Sequence, residues 1–250
     1  MIRKHKDGID YLEFHLLQNI PNLTHGVLLR NGGVSPPPYD SLNFVISNGD
    51  RVENVRANYQ KVQNTFSLPK IVRGHQVHSA NVQWADETSP TELLDTDGLI
   101  TKSRNVALFI KHADCQAALF VDPVTKIIAN AHSGWRGSVQ NIYAKVIEKF
   151  IESGSNPKDI LVCISPSLGP DRSEFVNYKT ELPEEFYPFQ FKPNYFNFWE
   201  ISRYQLENLG IKPEHIEIAS ICTYENPQEF FSYRREKVSG RNGSFISFVN

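Results

Sequence analysis

The chain has 250 residues, 40% hydrophobic and 22% charged, with a net charge of −2 at pH 7. That length suits one large domain, read here as 1–250, while the lack of a basic footprint argues against nucleic acid, and no apolar run approaches the roughly 18 residues of a membrane span. Three cysteines, with no secretory leader in MIRKHKDGIDYLEFHLLQ, favour thiol chemistry in the cytoplasm over a disulfide framework.

In chain order, THGVLLR (24–30) reads as a strand and the breaker cluster NGGVSPPPYD (31–40) as a loop. RVENVRANYQKVQNTF (51–66) spaces Val52, Val55, Tyr59 and Val62 three or four residues apart, an amphipathic helix. In HSANVQW (78–84), His78, Ala80, Val82 and Trp84 alternate with Ser79, Asn81 and Gln83, which predicts a strand with His78 on its buried face and His75 pointing away. NVALFIK (105–111), CQAALFV (115–121) and KIIANAH (126–132) are strands, apolar at most positions as expected where both faces are covered. SVQNIYAKVIEKFIES (138–153) is a second helix with Ser138 at its N-cap. DILVCIS (159–165), IEIASIC (216–222) and SFISFV (244–249) are further strands, and EFYPFQFKPNYFNFWE (185–200) is an irregular excursion whose aromatics pack locally. The mixture predicts an α/β (α+β) fold, with a central mixed β-sheet flanked by helices.

His78, Cys115 and His132 form a soft three-ligand set of the kind that holds zinc with a fourth position open. If Asp122-Pro123-Val124-Thr125 is the loop of an antiparallel hairpin, Val121 faces Lys126 and Cys115 directly opposes His132, with β-carbons roughly 5 Å apart. A three-residue loop or a bulge would separate them. Taken singly, an inward histidine or an apolar-strand cysteine is more often a packing residue, and the cross-strand pairing brings the ligand reading level with that one. Gly134-Trp135-Arg136-Gly137-Ser138 then makes a tight turn into the second helix, where backbone N–H groups and Arg136 attract anions.

These motifs resemble the laccase-domain proteins, also called the YfiH or polyphenol-oxidoreductase-like family. The resemblance rests on Gln76-Val77-His78, Ala113-Asp114-Cys115, His132 through Gly134-Trp135-Arg136-Gly137, the Pro/Gly stretch running into Glu174, and Cys222-Thr223-Tyr224 through Phe230-Phe231-Ser232-Tyr233-Arg234-Arg235 to Gly240-Arg241. Ser41-Leu42-Asn43, Gly49-Asp50 and Asp97-Gly98-Leu99-Ile100-Thr101 also match. Two departures are His112 before Ala113-Asp114-Cys115, where a small hydroxyl residue is usual, and Asp171-Arg172-Ser173 in place of a cysteine-containing stretch.

The resemblance implies one sandwich-like α/β domain with zinc held by His78, Cys115 and His132. It implies phosphorolysis of adenosine, inosine and methylthioadenosine, with deamination of adenosine alongside; purine nucleoside and phosphate are then the partners. Glu174 is the acid/base by family position. Arg136 is the catalytic anion binder, with Arg241 and one of Arg234 and Arg235 holding phosphate, since guanidinium forks match its oxygens. Asn43 is the candidate for ribose or base. The alternative role is editing or binding of peptidoglycan precursors. Copper-dependent phenol oxidation ranks third: Cu2+ suits the same ligands, but none of the eight histidines forms a His-X-His pair.

Overall fold

A computed structural model describes residues 1–249. The chain opens with strands β1 (Ile2–Lys6), β2 (Ile9–Glu13) and β3 (Leu23–Leu28), then helix α1 (Val52–Thr65) and strands β4 (Lys70–Gly74), β5 (Val82–Trp84), β6 (Glu92–Leu93) and β7 (Gly98–Thr101). Its middle is β8 (Val106–His112), β9 (Gln116–Asp122), β10 (Ile127–Ser133), α2 (Trp135–Val139), α3 (Ile142–Glu152), β11 (Leu161–Ile164) and α4 (Tyr178–Glu181). It ends with β12 (Gln190–Lys192), β13 (Tyr195–Phe196), α5 (Phe198–Asn208), β14 (Ile216–Ile218), α6 (Tyr233–Glu236) and β15 (Asn242–Phe248). No helix of the described residues is long and apolar enough to cross a membrane.

The strands build two mixed sheets, ordered β1-β2-β3-β15-β8-β4-β6 and β14-β11-β9-β10-β7-β5, with β12-β13 a separate hairpin. The expected mixed α/β class holds, with two facing sheets in place of one central sheet. Alternation along the apolar strands explains the layers. Leu108, Ile110 and Ile246 of the first sheet pack against Leu119, Val121 and Ile128 of the second. The opposite face of the first sheet, through Ala107, Phe109 and Phe245, meets Val62 of α1. Ala118, Phe120 and Ala129 on the opposite face of the second meet Ile142, Tyr143, Val146, Ile147 and Phe150 of α3. Each of these large side chains contributes about 1.5–3 kcal/mol by leaving water.

Two local expectations are corrected. The β9–β10 hairpin pairs Asp122 with Ile127 and Ala117 with His132, two residues away from the expected register. Asp122 stays in the ladder because its carboxylate caps the turn, accepting from Val124 N (2.8 Å), Thr125 N (3.2 Å) and Thr125 Oγ1 (2.7 Å). Lys126 then closes the loop at φ +59°, a left-handed conformation. A shift of two preserves the face, so Cys115 stays on the His132 side of the hairpin but by count faces Gly134. The second helix is split: Ser138 lies inside α2, and α3 starts at an Asn141 N-cap whose side chain accepts from Ala144 N. Gln205 Nε2 donates to the Ser138 carbonyl at the break (2.8 Å).

The long loop before α1 is stapled by Asn58, fully buried on that helix. Its amide donates to Ser35 Oγ (3.0 Å), the Ser41 carbonyl (3.2 Å) and the Asn43 carbonyl (2.8 Å), and its carbonyl oxygen accepts from Val34 N (2.9 Å). Leucine there fills the space and leaves those groups unpaired, at about 1–3 kcal/mol for each buried group. Asn58→Leu is therefore expected to lower stability by about 2–4 kcal/mol in a denaturant titration. A midpoint unchanged from the parent protein would show that the loop does not depend on this staple.

Candidate metal centre and cleft

His132 is placed by β10, which it nearly ends, and its ring is buried. Cys115 sits one residue before β9, after Asp114, whose backbone is left-handed (φ +86°) and whose carboxylate accepts from Thr223 Oγ1 (2.7 Å) and Arg234 N (2.6 Å). His78 arrives by a different route from the one its pattern predicts. It lies in a loop at φ +61° and is exposed; β5 begins only at Val82, and Trp84 is also exposed. The alternation from 78 to 84 thus does not reflect a continuous strand. The ring meets the other two all the same: the possible ligand atoms of His78, Cys115 and His132 lie within 4.8 Å of one another.

What bends the 77–79 segment is Asp97, a fully buried carboxylate just before β7. Its oxygens accept from the successive backbone N–H groups of Val77 (3.1 Å), His78 (3.0 Å) and Ser79 (2.8 Å), and from Ser79 Oγ (2.9 Å). The same carboxylate lies 2.9 Å from His132 Nδ1. That nitrogen therefore carries the proton, and Nε2 is left for a metal, the carboxylate–histidine arrangement that fixes tautomer and orientation at metal sites. Asp97 has no sequence signal by spacing; it stood only as the first residue of a matching motif. Gly134 supplies the room: a Cβ there would lie 3.0 Å from His78 Cδ2 and 3.1 Å from Cys115 Sγ.

The electrostatics suit a ligand set. Burial pushes the Cys115 thiol up, but the His132 and His78 rings outweigh it and bring the thiol down towards thiolate. Burial pushes His132 down, but Cys115 and Asp97 outweigh it and push the ring up. Burial would also raise Asp97, and the hydrogen bonds from His132 and Ser79 hold it well below the usual carboxylate range. Two imidazoles and a thiolate on one side of a fixed carboxylate are donors that fit a zinc-type ion.

Two cavities, of about 700 and 640 Å³, open on the cluster. Arg241 lines the first, with its guanidinium donating to the Ser239 and Gly240 carbonyls (3.0 Å each). Arg136, Glu174 and Arg234 line the second. Arg136 is exposed and stacks on Trp135, 4.3 Å from the ring centre. Glu174 is exposed on the rim. Arg234 and Arg235 differ: Arg234 lines the second cavity, while Arg235 is spent on the Thr223, Tyr224 and Phe230 carbonyls and Glu236. Asn43 needs correcting as a substrate binder. It is fully buried, and its amide is saturated by Val45 N (3.1 Å), the Val45 carbonyl (2.8 Å), Asp50 (2.8 Å) and Arg241 N (2.9 Å), so it positions Arg241. His112 is buried beside the first cavity, with Nε2 2.8 Å from Ser244 Oγ. Burial, then His132, lowers its pKa to about 3, so it adds no charge near neutrality. The aromatic excursion, read as local packing, also forms a wall: Phe198 lines the second cavity with Phe175 and Trp135.

Asp97→Asn keeps the shape of the side chain but loses its charge, and turns an amide donor towards backbone N–H groups. It should lower zinc affinity by about 10–100-fold in a chelator competition. An unchanged affinity would show that His132 needs no carboxylate behind it. In the parent protein the sign with pH is set by His132: its raised pKa means that a metal must displace a proton, so affinity should fall as pH is lowered through that range. A flat profile would remove His132 from the ligand set.

Comparison with known proteins gives one answer from several directions. The chain is 31% identical over 260 residues to the purine nucleoside phosphorylase YlmD of Bacillus subtilis, covering 93% of this chain and 90% of that one. It is 31% identical over 236 residues to the purine nucleoside phosphorylase YfiH of Escherichia coli, covering 88% and 91%. The crystal structure of YlmD from Geobacillus stearothermophilus superposes with a TM-score of 0.89 at 26% identity, covering 100% of this chain and 99% of that one. With residues 24–249 matching its description as well, the chain that carries this His–Cys–His cluster belongs to the multi-copper polyphenol oxidoreductase laccase family.

Proposed function

We propose that the chain, working as one domain, is a zinc-dependent purine nucleoside phosphorylase. The observation that carries this reading is the His78–Cys115–His132 cluster where two cavities meet, in a chain whose relatives are named for that activity. His78, Cys115 and His132 would hold the ion, which when bound supplies a Lewis acid. Asp97 orients the His132 ring. Arg241, in the first cavity, supplies a cationic contact for phosphate, and Arg136 and Arg234, in the second, supply contacts for charge that develops as the glycosidic bond breaks. Glu174, on the rim, is the proton carrier for the departing purine. Deamination of adenosine is the accompanying activity, and Asn43 contributes by fixing the Arg241 backbone.

Phenol oxidation is not favoured by the donors. A multicopper centre needs many imidazoles, and the one candidate group found among the described residues has two histidines and a cysteine. Such a set also takes copper more tightly than zinc, so oxidase activity after adding copper says little about the native role.

Purified protein is expected to carry about one zinc per chain and to split inosine or adenosine only when phosphate is present. His132→Ala and Cys115→Ala should each abolish retained zinc and cut turnover by about 100-fold or more. Mass analysis of products separates phosphorolysis from hydrolysis, and ammonia release reports deamination. A folded His132→Ala variant with full activity would sink the zinc assignment. Inertness to every nucleoside together with tight muropeptide binding would overturn the enzyme reading in favour of cell-wall editing.

A further inference from the structure

The two cavities have different chemistry, and they share the wall formed by His78, Ala113, Cys115 and Tyr233. The first is walled by Arg73, Lys111 and Arg241, all partly buried, with only 13% of the Lys111 side chain and 24% of the Arg73 side chain exposed. One carboxylate serves the first two: Glu92 lies 3.0 Å from Arg73 and 3.6 Å from Lys111. Arg241 has carbonyl partners but no carboxylate in contact. The other acids nearby are committed: Asp114 to Thr223 and Arg234, and Asp97 to His132 and the 77–79 backbone. His75 pairs with Asp95 at the exposed rim (3.5 Å), and His112 is neutral.

With the Cys115 thiolate, the other negative charge near Arg241, engaged by the metal, three half-buried cations against one carboxylate leave a surplus of positive charge that a protein interior tolerates poorly without a partner. Burial accordingly pushes Lys111 down, with Glu92 only partly opposing it. The lysine is nevertheless held firmly in place, because the Gln76 side chain brackets its peptide, donating to its carbonyl (2.7 Å) and accepting from its N–H (3.0 Å). In the second cavity the cations Arg136 and Lys237 are exposed and Arg234 donates to the Arg172 carbonyl (3.1 Å), and what sets this cavity apart is aromatic. Trp135, Phe175 and Phe198 pack against one another as one aromatic face of this cavity, with ring centres 5.9 and 5.3 Å apart along the series. Such faces suit a flat heteroaromatic ring.

We propose that the cleft is divided, with inorganic phosphate bound by Arg73, Lys111 and Arg241, the purine against the Trp135–Phe175–Phe198 face, and the ribose where the two cavities meet. This rests on the nucleoside reading above and assigns its two substrates. The division matches what the reaction needs. A phosphate oxygen forms a bond to the anomeric carbon as the bond from that carbon to the purine nitrogen breaks. The bonding pair leaves with the purine, and the proton lost by hydrogen phosphate ends on the purine. In-line displacement puts nucleophile and leaving group on opposite sides of the carbon, as two cavities that meet at His78, Ala113, Cys115 and Tyr233 allow. It also inverts that carbon, so a β-nucleoside gives α-ribose 1-phosphate.

The test is steady-state kinetics on the zinc-loaded full chain, varying phosphate and inosine separately, with calorimetric titration of inorganic phosphate alone. Lys111→Met should raise KM for phosphate about tenfold or more while leaving KM for inosine within about twofold. Glu92→Gln, which frees Arg73 and Lys111, should move the phosphate KM the other way, a change of sign that general damage would not produce. Phe175→Ala should raise KM for inosine and spare phosphate. A phosphate KM unmoved by Lys111→Met, or an equal rise for both substrates, would overturn the division while leaving the phosphorylase reading intact. Phosphate binding that weakens in Lys111→Met, in a protein inert towards every nucleoside, would support the anion cavity and defeat the nucleoside reading.

Discussion

The site depends on one buried carboxylate. Asp97 gathers four N–H or O–H groups of 77–79 and the His132 ring around two oxygens, so the loop that carries His78 and the strand that carries His132 are fixed relative to one another through a single side chain. Its own backbone reinforces this, since the Asp97 carbonyl accepts from His132 N (2.7 Å). A carboxylate receiving that many hydrogen bonds stays ionised, and the bonds it receives offset much of the cost of burying it. The left-handed backbone of His78 is sustained by the same bonds: three consecutive N–H groups can converge on one acceptor only if the chain curls.

The sheets supply the rigid frame for this arrangement. Cys115 and His132 stand at the same end of adjacent strands, and α2 leaves that end immediately through Gly134, which is small enough to pass close to both His78 and Cys115. The two cavities follow from the layering. One opens towards the loop stapled by Asn58 and Asn43 on the α1 side, the other towards the aromatic cluster beside α5. Elements far from the ligands therefore shape the cleft by setting the height of its walls.

The strands that face one sheet and one helix were legible because they are apolar on both faces, and His78, Cys115 and His132 stood out by donor type, a set that the fold brings together. The register was not. Whether Asp122 belongs to the loop or to the ladder depends on where its carboxylate bonds, and neither residue type nor alternation reveals that. His78 was assigned to a strand because its neighbours happen to alternate, whereas a long-range acceptor, Asp97, decides its conformation. Asn43 misled for a similar reason. A polar residue in a loop reads as exposed, but here every polar atom of its amide is consumed inside. The aromatics of 185–200 were recognised as a local cluster, yet that they wall a cleft required knowing what packs beside them.

Charge balance ties the cluster to the kind of ion it would hold. The thiolate of Cys115 and the carboxylate of Asp97 bring two negative charges into a largely enclosed space, where unpaired charge is costly. Protonated His132 offsets only one of them. A divalent ion with both imidazoles neutral offsets both, and the proton it displaces from His132 leaves to solvent. A monovalent ion such as Cu(I) would leave the group one charge short, although thiolate is the donor it favours. The carboxylate that positions the ring thus also sets the charge of its best-matched ion, which links the second residue layer to metal choice as well as to geometry.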